Sequence, residues 1–81
     1  MNYTEQEITD AYENGTLFVR CLNQVSDDEG IYNITGKEYE VVDEVINEND
    51  VECWIIECEE NAGLDEIQIT KDDKDFELFI K

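Results

Sequence analysis

Apolar and polar positions alternate along most of this chain, with two different periods. Near the start, within "TEQEITDAYENG", Ile8, Ala11 and Tyr12 recur three and four residues apart, which is the spacing of one narrow helical face. Thr4 followed by Glu7 has the form of a capping box, in which the hydroxyl accepts from the backbone and the carboxylate reaches back. Glu5 and Glu7 suit the positive end of a helix dipole, and Asn14-Gly15 is a stop signal. The spacing predicts a helix over residues 4–13. It is too short to be stable alone and must dock on something.

From Leu17 onward the period falls to two. "TLFVRCLN" predicts a strand over 17–22, with Leu17, Val19 and Cys21 opposite Phe18, Arg20 and Leu22. "QVSDDEGIYNITG" reads as a polar connection whose Ile31, Tyr32 and Ile34 pack over the core edge. "KEYEVVDEVI" predicts a strand over 37–46, with Tyr39 and Val41 pointing one way and Glu38 and Glu40 the other. "NEND" has the composition of a turn. "VECWIIEC" predicts a strand over 51–58, and its apolar middle suggests cover on both faces. "EENAG" turns the chain again. "LDEIQIT" predicts a strand over 64–69 with Ile67 and Ile69 on one face, "KDDKD" a short 3₁₀ turn, and "FELFIK" a last strand over 76–80. Five short strands at this spacing predict a mostly β protein: a small five-stranded antiparallel barrel with an N-terminal helix.

Length and charge narrow the picture. With 81 residues, one domain is expected, with the helix in residues 1–15 and the barrel in 16–81. Hydrophobic residues make up 41% of the chain, too many for a disordered acidic tail. The 23 acidic residues face only five basic ones, Arg20, Lys37, Lys71, Lys74 and Lys81, for a net charge of -18. Charge of this density repels itself and weakens the compact state. It also argues against direct contact with nucleic acid or an anionic membrane, since phosphate contacts need Lys and Arg. "MNYTEQEITD" has neither a basic n-region nor an apolar run, so neither a signal peptide nor a membrane span is expected. Three cysteines, an odd number, fit a reducing compartment. A cytoplasmic protein is the expectation.

The segments "LFVRCLN", "ITGKEYEVVDE", "CWIIECEENAGLDEIQI" and "KDFELFIK", in this order, resemble the small SH3-like barrels common in low-GC Gram-positive bacteria and their phages. The resemblance covers residues 17–81 and leaves the helix as an addition. It implies the fold and says little of activity. "TKDDKDF" departs from the family, whose corresponding turn often carries basic or aromatic residues. No nucleic-acid role is therefore carried over.

Candidate chemistry is sparse. The chain has no His, which removes the commonest general base and metal ligand. Ser26, the single Ser, sits beside Asp27 and Asp28 with nothing to activate it. With Gly30 at the sixth position of a calcium loop, the first and twelfth ligands would be Val25 and Gly36, neither a carboxylate. Cys21, Cys53 and Cys58 match no zinc spacing and read as small buried hydrophobes. No cofactor, metal or catalytic residue is expected, and the protein reads as a non-enzyme. Trp54 and Tyr39 are expected in the core, with a binding-face anchor as the alternative for Trp54.

The carboxylates carry the functional expectation. From Glu38 to Glu60 there are ten of them and no basic residue. Alternate residues on a strand lie about 6.5–7 Å apart on one face, so Glu38 and Glu40 form one row, and Glu57 with Glu59 a second, next to Glu60. Such rows imitate the charge of a phosphate backbone. In charge and size the chain resembles phage inhibitors of restriction, repair and CRISPR enzymes. The expected partner is a basic, nucleic-acid-binding host protein, met by Glu38, Glu40, Glu57, Glu59 and Glu60, with Tyr3 and Tyr12 as exposed aromatic anchors. The alternative is an SH3-like module that binds a peptide or an assembly and whose acidic surface serves solubility only.

Overall fold

The computed structural model describes residues 3–59 and 65–81. Its elements are α1 (Glu5–Asn14), β1 (Leu17–Cys21), β2 (Val25–Asp27), β3 (Gly30–Asn33), β4 (Glu38–Ile46), β5 (Glu52–Glu57), β6 (Glu66–Thr70) and β7 (Phe76–Ile80). The helix begins as expected. Thr4 Oγ1 accepts from the Glu7 N–H at 3.1 Å, and Glu7 Oε1 accepts from the Thr4 N–H at 3.0 Å. Gly15 closes it in the left-handed region at φ 73°, where a side chain would be strained. Ala11 is buried, and Ile8 and Tyr12 pack against the core, so the helix docks by its one apolar face. Replacing Thr4 with Ala removes the hydroxyl half of the capping box and leaves the bond from the backbone N–H to Glu7. A loss of about 1 kcal/mol is expected in urea denaturation, and an unchanged midpoint would show that docking alone holds the helix.

Five strands form one antiparallel sheet in the order β6-β5-β4-β1-β7. β6 and β7 are its edges, and the ladder is not closed into a barrel among the described residues. The stretch expected to be a plain connection instead forms a second, two-stranded sheet of β2 and β3. Within that hairpin Ile31 is exposed rather than packed on the core, and Asn33 is the residue that is fully buried. Its position explains the reversal: Asn33 Nδ2 donates to the Glu57 carbonyl at 3.3 Å, which turns the polar side chain inward. The "KDDKD" segment folds as hydrogen-bonded turns between β6 and β7 and not as a 3₁₀ helix. In "NEND", Asn47 Oδ1 accepts from the Asn49 and Val51 N–H groups, and Asp50 takes φ 61°. Residues 60–64, where a turn and the start of a strand are expected, lie outside the described residues.

The core gathers Leu17, Val19 and Cys21 of β1, Tyr39 and Val41 of β4, Trp54 and Ile56 of β5, Ile69 of β6 and Phe76 of β7. Trp54 and Tyr39 are core residues, as their strand positions suggest. Cys21 and Cys53 are buried, whereas Cys58 is only partly covered. One irregularity has consequences for the surface. In β4 the pairing with β5 shifts between Val41, opposite Ile56, and Asp43, opposite Ile55. Val42 is therefore an extra residue, a β-bulge. Past it the alternation changes parity, and Glu44 stands opposite Trp54. Directly opposed residues share a face, so the bulge carries a carboxylate onto the side of the sheet that holds the tryptophan.

Candidate functional site

The acidic residues fall into three different settings. On the outer face of β4, β1 and β7, Arg20 lies opposite Glu38 on one side and Glu77 on the other. Its guanidinium is 3.2 Å from Glu38 and 3.8 Å from Glu77, and Lys81 Nζ is 3.9 Å from Glu38. Glu38 is thus neutralised by groups distant in sequence. Glu40 is half-buried and faces Phe18. Phe18 and Phe79 pack with ring centroids 6.1 Å apart, Arg20 lies 5.0 Å from the centroid of Phe79, and Lys81 lies 4.3 Å from that of Phe18. The row Glu38–Glu40 belongs to a mixed face of aromatic rings and both charges.

The second setting is the end of the molecule formed by the β2–β3 hairpin and the far end of β5. The Glu59 N–H donates to the Tyr32 carbonyl at 2.7 Å, which holds hairpin and strand together. Tyr32 donates its hydroxyl to Asp27 at 2.6 Å. That bond, with burial and the charges of Asp27 and Glu29 behind it, pushes the phenol up to about 12. Glu57 stands directly opposite Glu66, an unfavourable like-charge pair. The Cys58 thiol is pushed up, by burial first and then by the charges of Asp65, Glu59, Glu57 and Glu66. Asp28 is at the hairpin tip, and at this end Lys37 Nζ lies 2.9 Å from Glu59. Glu59 itself is committed to structure. It accepts from the Tyr39 hydroxyl at 2.7 Å, and that bond, followed by Lys37, holds its carboxyl below the usual range.

The third setting is a cleft of about 450 Å³ between α1 and the sheet, bordered by Glu5, Ile8, Tyr12, Glu44, Glu52, Trp54 and Lys71 among others. Lys71 Nζ sits 4.1 Å from the centroid of the Trp54 ring. It pairs with Glu44 and lies 3.9 Å from Glu52. Tyr12 packs on Trp54 at 6.2 Å and donates to Asp43 at 3.2 Å.

The register that pairs Val41 with Ile56 sets Glu40 of the outer face beside Glu57, with Glu66 beyond it, so the mixed face and the acidic end adjoin. Glu57 is exposed at the acidic end, Glu59 is half-buried there, and Glu38 and Glu40 lie on the mixed face. Glu60 lies outside the described residues. Tyr3 and Tyr12 are half-buried and not exposed anchors: Tyr3 Oη accepts from the Ile80 N–H at 3.4 Å, and Tyr12 covers the tryptophan. The sequence pattern singles out neither the hairpin acids Asp27, Asp28 and Glu29 nor Asp65 and Glu66 at the start of β6. Their signal, acids clustered in "SDDEG" and "LDEI", was visible, but nothing local ties those segments to Glu57.

No protein-family model matches the chain, and no curated protein or solved structure matches it either. Among the described residues no group of three or more His, Cys, Asp or Glu side chains is arranged to hold a metal ion. No helix among them is long and apolar enough to cross a membrane.

Repulsion at the acidic end makes a salt dependence of stability expected. Between ~10 mM and ~300 mM sodium chloride the screening length falls from about 30 Å to below 8 Å. The melting temperature should rise across that range, by about 4–8 °C for each kcal/mol of repulsion relieved. A flat melting temperature would mean that the ion pairs of Arg20, Lys37, Lys71 and Lys81 already balance the field.

Proposed function

We propose that this chain is a non-catalytic interaction protein that offers its acidic end to a basic, nucleic-acid-binding protein and competes there with nucleic acid. One observation carries the reading: hairpin and sheet bring Asp27, Asp28, Glu29, Glu57, Asp65 and Glu66 to one end of the molecule. Fixed carboxylates on a rigid scaffold release a partner's counterions much as phosphates do, and complementary charge speeds encounter. The absence of His from the sequence removes the commonest acid–base catalyst and agrees with a binding role. A cytoplasmic protein of a phage or another mobile element is the setting that this reading implies. The strand order and the hairpin between β1 and β4 support an SH3-like barrel as the scaffold, with β6 and β7 as the edges that would approach to close it.

The test is competition. The immobilised protein should retain proteins from a host lysate at low salt and release them to duplex DNA. Replacing Asp27, Asp28, Glu29, Glu57 and Glu66 with their amides should abolish retention. A control variant with Glu5, Glu7, Asp10, Glu13 and Glu48 replaced removes the same charge elsewhere and should retain it. Equal behaviour of the two variants would reduce the acidic end to a solvated surface.

The alternative reading, a peptide- or assembly-binding module, is favoured by a different observation: the rings of Phe18 and Phe79, half-buried on the outer face and flanked by Arg20 and Lys81. Replacing both rings with Ala should leave DNA-sensitive retention intact if the first reading holds.

A further inference from the structure

The cleft under α1 lies away from the acidic end. Glu52 and Glu57 stand at opposite ends of β5, about 17 Å apart at strand spacing. The cleft holds a basic side chain of the protein itself, Lys71, laid on the Trp54 ring between two carboxylates. We propose that Lys71 is a displaceable occupant, and that the cleft is a recognition site for an arginine side chain presented by a basic peptide segment of a partner.

Three features argue for that ligand. The first is charge: Glu5, Glu44 and Glu52 border the cleft against the single charge of Lys71, so an added cation is favoured. The second is the ring. An indole face attracts cations, and a planar guanidinium stacks on it and grips carboxylates in a fork that an ammonium cannot reproduce. Arginine therefore outcompetes a lysine that reaches the site on a flexible stem. The third is an unmet donor. Trp54 is only 4% exposed, and its Nε1–H has no acceptor among the described residues. A guanidinium supplies no acceptor, whereas the carbonyls of a peptide do, which favours a peptide over a free amine. The size also fits. At about 450 Å³ the cleft is in the range of small-ligand sites. A shallower groove bordered by Val51, Glu52, Lys71 and Asp72 continues it, with room for residues beside the arginine.

Trp54 is the single tryptophan, so its fluorescence reports on the site directly. The probe is a short peptide with one central arginine and uncharged flanks, titrated at near-physiological salt. Its citrulline counterpart keeps the shape without the charge. Lys71→Met removes the resident cation. Lys74→Met changes net charge equally from the exposed neighbouring turn. Lys71→Met should bind the arginine peptide roughly tenfold more tightly than Lys74→Met, and the citrulline peptide should not quench. Lys71→Arg keeps the site filled and more firmly held, so it should bind more weakly than the parent. That variant carries the test if Lys71→Met does not fold. Equal affinities of the Lys71→Met and Lys74→Met proteins, no loss in Lys71→Arg, or equal quenching by citrulline would overturn the proposal. Tetramethylammonium binding as tightly as the peptide would overturn the choice of a peptide ligand. None of these measurements uses the carboxylates of the acidic end, so this inference and the competition reading can fail separately.

Discussion

Replacing Ile56 with Ala should cost about 2–5 kcal/mol and leave much of the chain unfolded at room temperature. Ile56 is completely buried. It stands between Val41 of β4 and Ile67 of β6 in the sheet register, so a truncated side chain leaves a hole that three strands border. At roughly 0.05–0.15 kcal/mol per residue, a domain of this size has about 4–12 kcal/mol in total, and self-repulsion places this one towards the lower part of that range. The loss is thus comparable with the whole stability. Ile56→Val removes one methylene and should cost about 0.5–1.5 kcal/mol with the fold retained. Ile46 provides the control. It is 66% exposed near the tip of the β4–β5 hairpin, and Ile46→Ala should stay within about 0.5 kcal/mol of the parent. Urea denaturation followed by Trp54 fluorescence measures all three. A parent-like midpoint for Ile56→Ala would mean that the core is not where the register puts it.

Tyr39→Phe is expected to have the next largest effect, and to change the pH dependence of stability as well as its size. The Tyr39 hydroxyl accepts from the Ile34 N–H at 2.8 Å and donates to Glu59 at 2.7 Å. One oxygen therefore ties the loop after β3 to the residues that follow β5. Removing it from a buried position strands a backbone donor, at about 1–3 kcal/mol. Glu59 is held low by this hydroxyl first and by Lys37 second. A carboxyl held low stabilises the fold above its unfolded value, and that contribution fades as pH falls through the lower folded value. Tyr39 is pushed up to about 12, by burial first and then by the bond to Glu59. Its contribution is complete below the ordinary value of 10.0 and fades as pH rises towards about 12. In the variant the acid limb should shrink without vanishing, because Lys37 remains. The alkaline limb should shrink to what the other raised groups supply: Tyr32 foremost, since its bond to Asp27 pushes the phenol up to about 12, then Tyr12 and the Cys21 and Cys58 thiols, all raised by burial first. Urea midpoints measured across both limbs test this. A pH profile parallel to the parent's would show that the bond contributes nothing specific.

Local pattern determined much of this protein. The capping box at Thr4 and Glu7, the stop at Gly15 and the single apolar face of α1 are all contained within twelve residues, and the helix forms where they place it. The same holds for β1, whose period-two alternation buries Leu17, Val19 and Cys21 and leaves Phe18 and Arg20 half-covered. The turn at Asn47–Asp50 needs only its own side chains. Composition likewise set the net charge, and with it the expectation of repulsion.

Tertiary structure decided the rest, because the deciding partners are far apart in sequence. Glu38 looks unpaired among the acids of its own segment, yet Arg20 and Lys81 reach it from β1 and from the residue after β7. Asn33 reads as a loop residue and becomes buried because the Glu57 carbonyl is there to receive it. The β2–β3 hairpin has weak local signals, and its place follows from bonds to Tyr39 and Glu59. The Val42 bulge is the clearest case. The string "EYEVVDEV" carries no mark of a parity change, since an extra residue is a property of two strands in register and not of one. That change brings Glu44 to the tryptophan, places Lys71 between two carboxylates and makes the cleft. Charge was legible residue by residue; which charges face solvent together was set by the register of strands that the chain pairs at long range.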